Sequence, residues 1–337
     1  MTPEPTTRKV ALLFPGQGAQ HPRMGADLYG VSPRFTEIMD QAFDAFGASG
    51  RAIRDDWLAT APSSSYDDIS RAQPLLYAID YAMGTLLLES GVRPDVLLGH
   101  SVGELAAATL AGVFDFESGL RHLREFVTIY GRAPRGGMLA VAATRERVAP
   151  YLTHDVVVGA ENGPRQLLLA GPDPALHDVE QRLREDGFTC ARARALQPFH
   201  SPVMRTVAEE SGPREARLRP RAPRIPVHSA RTGHILADAT AADEEFWREQ
   251  PAEPVLFGPA LQRLLARGDH LLVEAGPGQS LTALARRTRA VATGRSLALP
   301  TLPPRREHPG ADLHTFTATV DQLRAHGHAS RTPVPLG

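Results

Sequence analysis

Residues 99–103 constrain the fold more than any other part of the chain, because they read Gly-His-Ser-Val-Gly between a strand pattern and a helix pattern. Residues 95–98 predict a short buried strand, and residues 104–111 favour a helix. Two small glycines let the chain turn sharply and present the hydroxyl of Ser101 at the start of the helix. The same residues also fit a plain strand-to-helix turn with a capping serine. The pattern therefore predicts an α/β fold and leaves both roles of the serine open.

The rest of the chain divides into two kinds of pattern. Residues 10–14 predict a second buried strand ending at a Pro-Gly turn, and residues 75–88 predict a long buried helix. From residue 137 the order changes to βαββαβ, which is typical of a ferredoxin-like unit. Its predicted strands are 138–142, 156–159, 167–170 and 189–195, with helices at 144–151 and 173–186.

After His200 the chain returns to alternating strand and helix patterns. We expect a strand at 226–229, a helix at 255–267, a strand at 270–274, a Pro/Arg-rich linker at 302–310 and a final helix at 313–325. The predicted domains are a large one formed by residues 1–134 and 200–300, an inserted small one at 135–199, and a C-terminal linker and helix at 301–337.

Composition excludes several function classes. The formal net charge of the 337 residues is -1 and the isoelectric point is about 6.9, so a nucleic-acid partner is not expected. No apolar segment that would serve as a signal or a membrane span is visible, so we expect no membrane partner. A single cysteine, Cys190, makes neither an internal disulfide nor a cysteine-rich zinc site. We therefore predict a cytoplasmic protein without a metal.

A serine nucleophile needs a base, and the sequence offers 13 histidines. His200 stands out because it lies in the rigid segment Pro-Phe-His-Ser-Pro, directly after the predicted insert. Loops held by a scaffold often carry catalytic groups. His100 is the neighbour of Ser101, but adjacent residues at a sharp turn usually point apart. The alternative for any lone histidine is a structural hydrogen-bonding role.

Together these residues resemble a known family. Six motifs occur in the order and spacing of malonyl-CoA:acyl carrier protein transacylases and polyketide synthase acyltransferase domains, from about residue 10 to the end. In this chain they read FPGQGAQ (14–20), QP (73–74), GHSVGEL (99–105), NGP (162–164), FHSP (199–202) and EAGPG (274–278). The resemblance implies an α/β-hydrolase-like large domain with an inserted ferredoxin-like small domain, and an active site in the cleft between them.

The resemblance also implies roles for individual residues. Ser101 would be the nucleophile and His200 its base, while the main-chain N–H groups of Gln17 and Val102 would form an oxyanion hole. No carboxylate completes this dyad, and Gln250 matches the position that places a carbonyl or amide near the second imidazole nitrogen. Gln73 and Asn162 match positions that line the cleft, and structural hydrogen bonding is the alternative for both.

The acyl donor depends on two further positions. Arg124 stands where the resemblance leads us to expect a malonyl-binding arginine, whose guanidinium would hold a carboxylate through two charge-assisted hydrogen bonds. Glu125 could compete for it, Arg121 and Arg132 are nearby alternatives, and a plain surface arginine is a further one. Phe199 matches the position where a bulky ring favours malonyl over methylmalonyl.

We therefore predict an acyltransferase with a ping-pong mechanism, which uses a coenzyme A or phosphopantetheinyl thioester as substrate and needs no cofactor. The predicted acceptor is the phosphopantetheine thiol of an acyl carrier protein, and malonyl is the favoured acyl group. The C-terminal stretch resembles polyketide synthases more than fatty-acid enzymes, so we expect polyketide or antibiotic biosynthesis. Because the chain starts at Met1 without a ketosynthase or carrier domain, we expect it to act in trans on a separate carrier. A domain excised from a larger synthase would look similar.

Three other interpretations stay open at this point. The chain could move a larger or non-malonyl acyl group between two carrier proteins, hydrolyse stalled acyl thioesters, or act as a docking module without turnover. The carrier's acidic helices would meet a basic patch, and the densest arginine cluster after the GPG turn is Arg286, Arg287 and Arg289. A solvated helix face is the alternative for these three.

Overall fold

The computed structural model describes residues 8–63, 66–212, 215, 217–305 and 308–330. Its strands are β1 (Lys9–Phe14), β2 (Val96–Gly99), β3 (Gly136–Val141), β4 (Val157–Gly163), β5 (Gln166–Pro172), β6 (Cys190–Arg192), β7 (His270–Glu274) and β8 (Leu297–Pro300). Its helices are α1 (Pro33–Ala45), α2 (Gly47–Leu58), α3 (Ile69–Glu89), α4 (Val102–Leu110), α5 (Phe116–Tyr130), α6 (Arg145–Val148), α7 (Asp173–Glu185), α8 (Pro202–Glu210), α9 (Asp238–Ala241), α10 (Glu244–Arg248), α11 (Phe257–Ala266), α12 (Ser280–Arg286), α13 (Arg289–Ala292) and α14 (Ala311–Ala325). Two 3₁₀ turns cover Ala149–Tyr151 and Gln250–Ala252.

A parallel four-stranded sheet forms the centre of the larger part, in the order β2-β1-β7-β8. Strand β1 is buried on both faces after its first residue, as expected for an apolar strand inside a parallel sheet. Leu12 and Phe14 pack into one core cluster, while Ala11 and Leu13 pack into another on the opposite face. Phe14 pairs with Gly99, so the loops that follow β1 and β2 leave the same edge of the sheet side by side.

The second sheet is antiparallel, in the order β4-β5-β3-β6. Helix α7 packs against this sheet, and Leu176, Val179 and Leu183 of the helix enter the same buried cluster as Leu139 and Leu169. The chain order β3-α6-β4-β5-α7-β6 with this strand order is the ferredoxin-like arrangement. The predicted fold class, a large α/β part with a ferredoxin-like small part, is therefore confirmed.

Three of the differences between the observed elements and the sequence-based prediction are informative. Helix α3 begins six residues before the predicted start at 75, because Asp68 caps it by accepting a hydrogen bond from the Ser70 N–H. The segment 226–229 makes only the isolated bridges Leu97↔Val227 and His228↔Ile235, so the predicted strand there is wrong. The last small-sheet strand is three residues long, shorter than the predicted 189–195.

The domain limits stay a prediction, although all strands of the small sheet fall within 135–199. Residues 1–7, 306–307 and 331–337 of the predicted outer segments lie outside the described residues. Within the described ranges, no helix has the length and apolar character that crossing a membrane requires. The same residues contain no cluster of three or more His, Cys, Asp or Glu side chains suited to a metal ion.

Candidate active site

The turn between β2 and α4 presents Ser101 in a strained conformation. Its φ of 54° and ψ of -122° lie outside the regions that most L-residues occupy. A Cβ at Gly99 would overlap the backbone of Glu104, and one at Gly103 would overlap the backbone of Phe14. The two glycines therefore allow the close approach that the turn requires, and the serine hydroxyl is left at the helix start without a capping bond.

Ser101 and His200 form a dyad. The Ser101 Oγ and the His200 Nε2 are 2.8 Å apart, although the residues are 99 positions apart in the chain. His200 also has a positive φ, 62°, and its backbone N–H donates to the Pro251 carbonyl at 2.7 Å. The structure therefore brings together the two residues that the motifs single out.

The second ring nitrogen of His200 fixes its tautomer. The Nδ1 lies 2.8 Å from the backbone carbonyl of Glu253, and because a carbonyl only accepts, the Nδ1 carries the proton. The Nε2 of the neutral ring is then free to accept the Ser101 hydroxyl proton. Burial lowers the pKa of His200 to about 4, against smaller opposing effects of the backbone bonds. The ring is therefore neutral at neutral pH, as a general base must be.

The role predicted for Gln250 falls mainly to another residue. The main partner of the imidazole Nδ1 is the Glu253 carbonyl, and the backbone carbonyl of Gln250 has only a minor effect on the pKa of His200. The Gln250 side chain instead donates from its Nε2 to the Ser101 carbonyl at 2.6 Å. Gln250 thus holds the backbone of the strained turn, and its own carbonyl is only a secondary partner of the base.

Gln17 and Val102, whose N–H groups are predicted to form the oxyanion hole, both lie beside Ser101. Gln17, in the loop after β1, and Val102, the first residue of α4, both line cavities that contain Ser101. No acceptor is recorded for either N–H among the described residues. The Gln17 loop is held in place because the Gln73 Nε2 donates to the Gln17 Oε1 at 2.8 Å. The arrangement leaves two donors available to a developing oxyanion.

Asn162 takes the structural role that the sequence left open. Its Oδ1 lies 2.8 Å from the Nε2 of His100, the residue before the serine. His100 is half-buried, and desolvation lowers its pKa. Through this contact the small sheet touches the turn that carries Ser101. His200, and not His100, is the histidine that contacts the Ser101 hydroxyl.

A narrow pocket next to Ser101 is lined by both apolar and polar side chains, among them two phenylalanines. The rings of Phe199 and Phe126 are stacked with centroids 5.7 Å apart, and Tyr130 meets Phe199 edge-on. Space between the side chains amounts to about 10 Å³, roughly one water molecule. The remaining lining residues are Gln73, Val102, Leu105, His122, Leu123, His200, Gln250 and Pro251.

Arg124 does not lie in this pocket, so the prediction for it is wrong. It is exposed on the outer face of α5, and its Nη1 donates to the Ala45 carbonyl at 3.3 Å. The two alternatives fail as well, because Arg121 pairs with Glu117 on the surface and Arg132 is exposed after the helix. The helix turns His122, Leu123 and Phe126 inward instead.

Sequence reasoning missed these three residues of α5, although a signal was present. Positions 122, 123, 126, 129 and 130 follow the 3.6-residue period of one buried helix face, and position 124 falls on the opposite side. A projection of the helix would therefore have placed Phe126 on the buried face and Arg124 on the exposed one.

The predicted carrier-binding arginines lie at the end of α12 and the start of α13. Arg286, Arg287 and Arg289 are all exposed. Arg287 and Arg289 line a groove together with residues of the β4–β5 hairpin, whereas Arg286 does not. The Arg287 Nη1 donates to the Gln166 Oε1 at 2.9 Å, so this cluster touches the small sheet.

Comparison with protein families places this site in context. The model of a family described as acyl transferase domain matches residues 11–330. A phenolphthiocerol/phthiocerol polyketide synthase polypeptide of Mycobacterium tuberculosis is 35% identical over 283 residues. That match covers 84% of this chain but only 19% of the synthase polypeptide, so the chain spans about a fifth of the length of this relative.

Solved structures agree with the family match. The acyltransferase domain from the second module of the salinomycin polyketide synthase superposes with a TM-score of 0.82 at 34% identity, covering 96% of this chain and 75% of that one. A malonyl CoA-acyl carrier protein transacylase from Burkholderia pseudomallei gives 0.73 at 29% identity, covering 84% of this chain and 100% of that one. Both kinds of protein named by the sequence motifs are therefore found among the structural relatives.

Proposed function

The chain belongs to the acyl transferase domain family, and we propose that it moves a neutral acyl group from a thioester donor to the phosphopantetheine thiol of an acyl carrier protein in polyketide biosynthesis. The observation that carries the proposal is the 2.8 Å contact between the Ser101 Oγ and the His200 Nε2. Such a pair activates a serine for acyl transfer, because the base removes the hydroxyl proton as the oxygen attacks.

The first half-reaction forms an ester on Ser101. The Oγ attacks the thioester carbonyl carbon while its proton passes to the His200 Nε2, and the N–H groups of Gln17 and Val102 stabilise the oxyanion. The carbon–sulfur bond then breaks, and the leaving thiol takes the proton from the Nε2. The Glu253 carbonyl accepts from the Nδ1–H throughout and so steadies the imidazolium without adding a negative charge.

The second half-reaction repeats these steps in reverse with the carrier's thiol as nucleophile. His200 takes the thiol proton, the sulfur attacks the seryl ester, and the proton returns to the Ser101 Oγ. The exposed cluster Arg286, Arg287 and Arg289 is the candidate surface for the acidic carrier.

The pocket favours a neutral acyl group over malonyl. A buried malonyl carboxylate would need a positively charged partner. The residues that line the narrow pocket next to Ser101 include no arginine or lysine. Arg194 is the cation at the neighbouring cavity of about 70 Å³, but its side chain is 78% exposed and 3.6 Å from Asp67. The stacked Phe126 and Phe199 rings instead offer an apolar wall.

Intact-protein mass spectrometry with a panel of thioesters tests this proposal. Acetyl and longer neutral acyl thioesters should add one acyl group to the wild-type chain, malonyl-CoA should add none or far less, and Ser101→Ala should remove the adduct. Peptide mapping should place the group on Ser101. A malonyl adduct that forms faster than every neutral one would overturn the donor assignment, and an adduct on another residue would overturn the mechanism.

A further inference from the structure

The short segment directly after α10 makes three hydrogen bonds to the dyad. The Gln250 Nε2 donates to the Ser101 carbonyl at 2.6 Å. The His200 backbone N–H donates to the Pro251 carbonyl at 2.7 Å, and its Nδ1–H donates to the Glu253 carbonyl at 2.8 Å. The position of this one segment therefore affects both the orientation of the imidazole and the place of the serine turn.

Arg231 contacts both ends of this segment, which covers residues 249–253. Its Nη2 donates to the Glu249 Oε2 at 2.6 Å and lies 3.9 Å from the Glu253 Oε1. Its Nη1 donates to the Phe246 carbonyl in α10 at 2.5 Å, and the guanidinium carbon lies 4.6 Å from the centre of the Phe246 ring. Only 16% of the Arg231 side chain is exposed. One planar guanidinium group, with Glu249 as its strongest partner, thus joins the end of α10 to the segment.

The loop that carries Arg231 is anchored to the two elements on either side of the serine turn. In β2, the Leu97 N–H donates to the Pro226 carbonyl at 2.9 Å, and the Leu97 carbonyl accepts from the His228 N–H at 2.7 Å. In the first turn of α4, the buried carboxyl group of Glu104 interacts with both the backbone and the charge of Arg231. Arg231 therefore connects the part of the molecule that fixes the nucleophile with the segment that orients the base.

The contacts assign a role to this arginine. We propose that Arg231 is a positioning residue for acylation: its guanidinium fixes the segment 249–253, so that the Glu253 carbonyl keeps the His200 ring directed at the Ser101 Oγ. Arg231 does not line either cavity that contains Ser101, so it acts through the base and not on the thioester. Displacing a reacting group by about 1 Å lowers a rate by on the order of 10²-fold. The inference rests on the proposed acyl transfer and names a residue on which its rate depends.

Single-turnover acylation of the full chain, with the neutral acyl-CoA that acylates the wild type fastest, tests this role. Arg231→Ala should lower the rate constant at saturating thioester by roughly 10- to 100-fold and leave the half-saturating concentration unchanged. Arg231→Lys should recover part of the rate, because an ammonium group supplies the charge but not the planar fork. Arg263→Ala is the matched control and should react at the wild-type rate. The Arg263 Nη1 donates to the Gly233 carbonyl of the same loop at 2.9 Å, so this variant loosens the loop but keeps Arg231.

Glu249→Ala tests the same contact from the other side and serves if Arg231→Ala does not fold. It removes the strongest side-chain partner of Arg231 and should slow acylation by roughly threefold or more. The double variant Arg231→Ala/Glu249→Ala should be no slower than Arg231→Ala, because the two side chains act as one unit. Circular dichroism and urea unfolding check that each variant is folded.

The Nδ1–H proton of His200 gives a readout that does not depend on turnover. Its downfield proton resonance, assigned by its absence in His200→Ala, should shift or disappear in Arg231→Ala and stay unchanged in Arg263→Ala. A wild-type rate in folded Arg231→Ala or Glu249→Ala, a rise in the half-saturating concentration alone, or equal losses in Arg231→Ala and Arg263→Ala would overturn the positioning role. If no thioester acylates the wild type, the proposed function fails, and an unchanged resonance in Arg231→Ala would overturn the positioning role separately.

Discussion

The imidazole of His200 is buried and neutral, which decides how acylation depends on pH. Its pKa of about 4 lies below the ordinary value of 6.5, so protonation should remove the base only as the pH falls through about 4. The single-turnover acylation rate is expected to be flat from pH 7 to 5 and to halve near pH 4. Stopped-flow measurements with circular dichroism as a folding control check this. A midpoint near 6.5 would contradict the neutral buried ring.

The variant His200→Ala measures how much the general base contributes to the acylation rate. His200→Ala should slow acylation by roughly 10²- to 10⁴-fold, the usual contribution of a positioned general base. The conservative comparison is Gln250→Ala, which removes the bond to the Ser101 carbonyl but leaves the base in place, and it should cost less. If His200→Ala acylates at the wild-type rate, another group is the base.

Which site residues can be predicted depends on the kind of group involved. Ser101 and His200 are accessible to sequence reasoning because each lies in a motif whose residue types the chemistry demands. The Glu253 carbonyl cannot be identified from the sequence, because every residue carries a backbone carbonyl. No side-chain type marks the carbonyl that contacts the imidazole. Gln250 is identified by its position, but its side chain bonds the serine backbone.

Helix α5 decides which side chain faces the acyl group. Phe126→Arg should place a guanidinium in the pocket and allow malonyl-CoA to acylate Ser101, because a buried cation can pair with the carboxylate. Arg124→Ala, two residues away on the exposed face, should leave donor choice unchanged. Acylation by malonyl- and acetyl-CoA, followed by mass spectrometry, measures both. If malonyl-CoA acylates the wild type but not Arg124→Ala, that arginine is the carboxylate partner instead.

Elements are predictable wherever their own residues carry the signal. The βαββαβ order and strand β7 follow from local periodicity, and the structure has both. The prediction around Val227 fails because this segment pairs with its neighbours only through isolated bridges, Leu97↔Val227 and His228↔Ile235, and not through a continuous ladder. The prediction for Arg124 fails for a related reason: spacing along the chain locates the helix, but only its rotational phase determines which side chain points inward.

At the scale of the whole molecule, a buried pair of carboxyl groups joins α3 to the parallel sheet. Asp80 of α3 and Glu274 at the end of β7 are fully buried. Glu274 accepts hydrogen bonds from the Leu281 and Thr282 N–H groups, whereas no partner is recorded for either Asp80 oxygen among the described residues. Burial, together with the nearby Glu274, raises the pKa of Asp80 well above 3.8.

This pair makes stability depend on pH in a defined direction. Because the folded-state pKa of Asp80 is raised, its contribution is present below pH 3.8 and is lost as the pH rises towards the folded value. Asp80→Asn keeps the shape but does not titrate, so it should gain stability relative to the wild type as the pH rises above 3.8. The gain should reach at most about 1.4 kcal/mol per pH unit.

Urea unfolding of both proteins across that pH range measures the difference in the free energy of unfolding. Asp178→Asn, at an exposed position on α7, is the control and should show no such slope. A stability difference between Asp80→Asn and the wild type that stays constant with pH would mean that Asp80 is ionised in the folded protein.

The positive φ angles of Ser101 and His200 have an evolutionary consequence. Each strained residue costs the folded state about 1 to 3 kcal/mol, and glycine would relieve that cost at either position. Selection for heat tolerance alone would therefore remove both members of the dyad. Only selection for catalytic activity retains them. Relatives that are no longer under this selection should therefore lose these two side chains early and keep the surrounding fold.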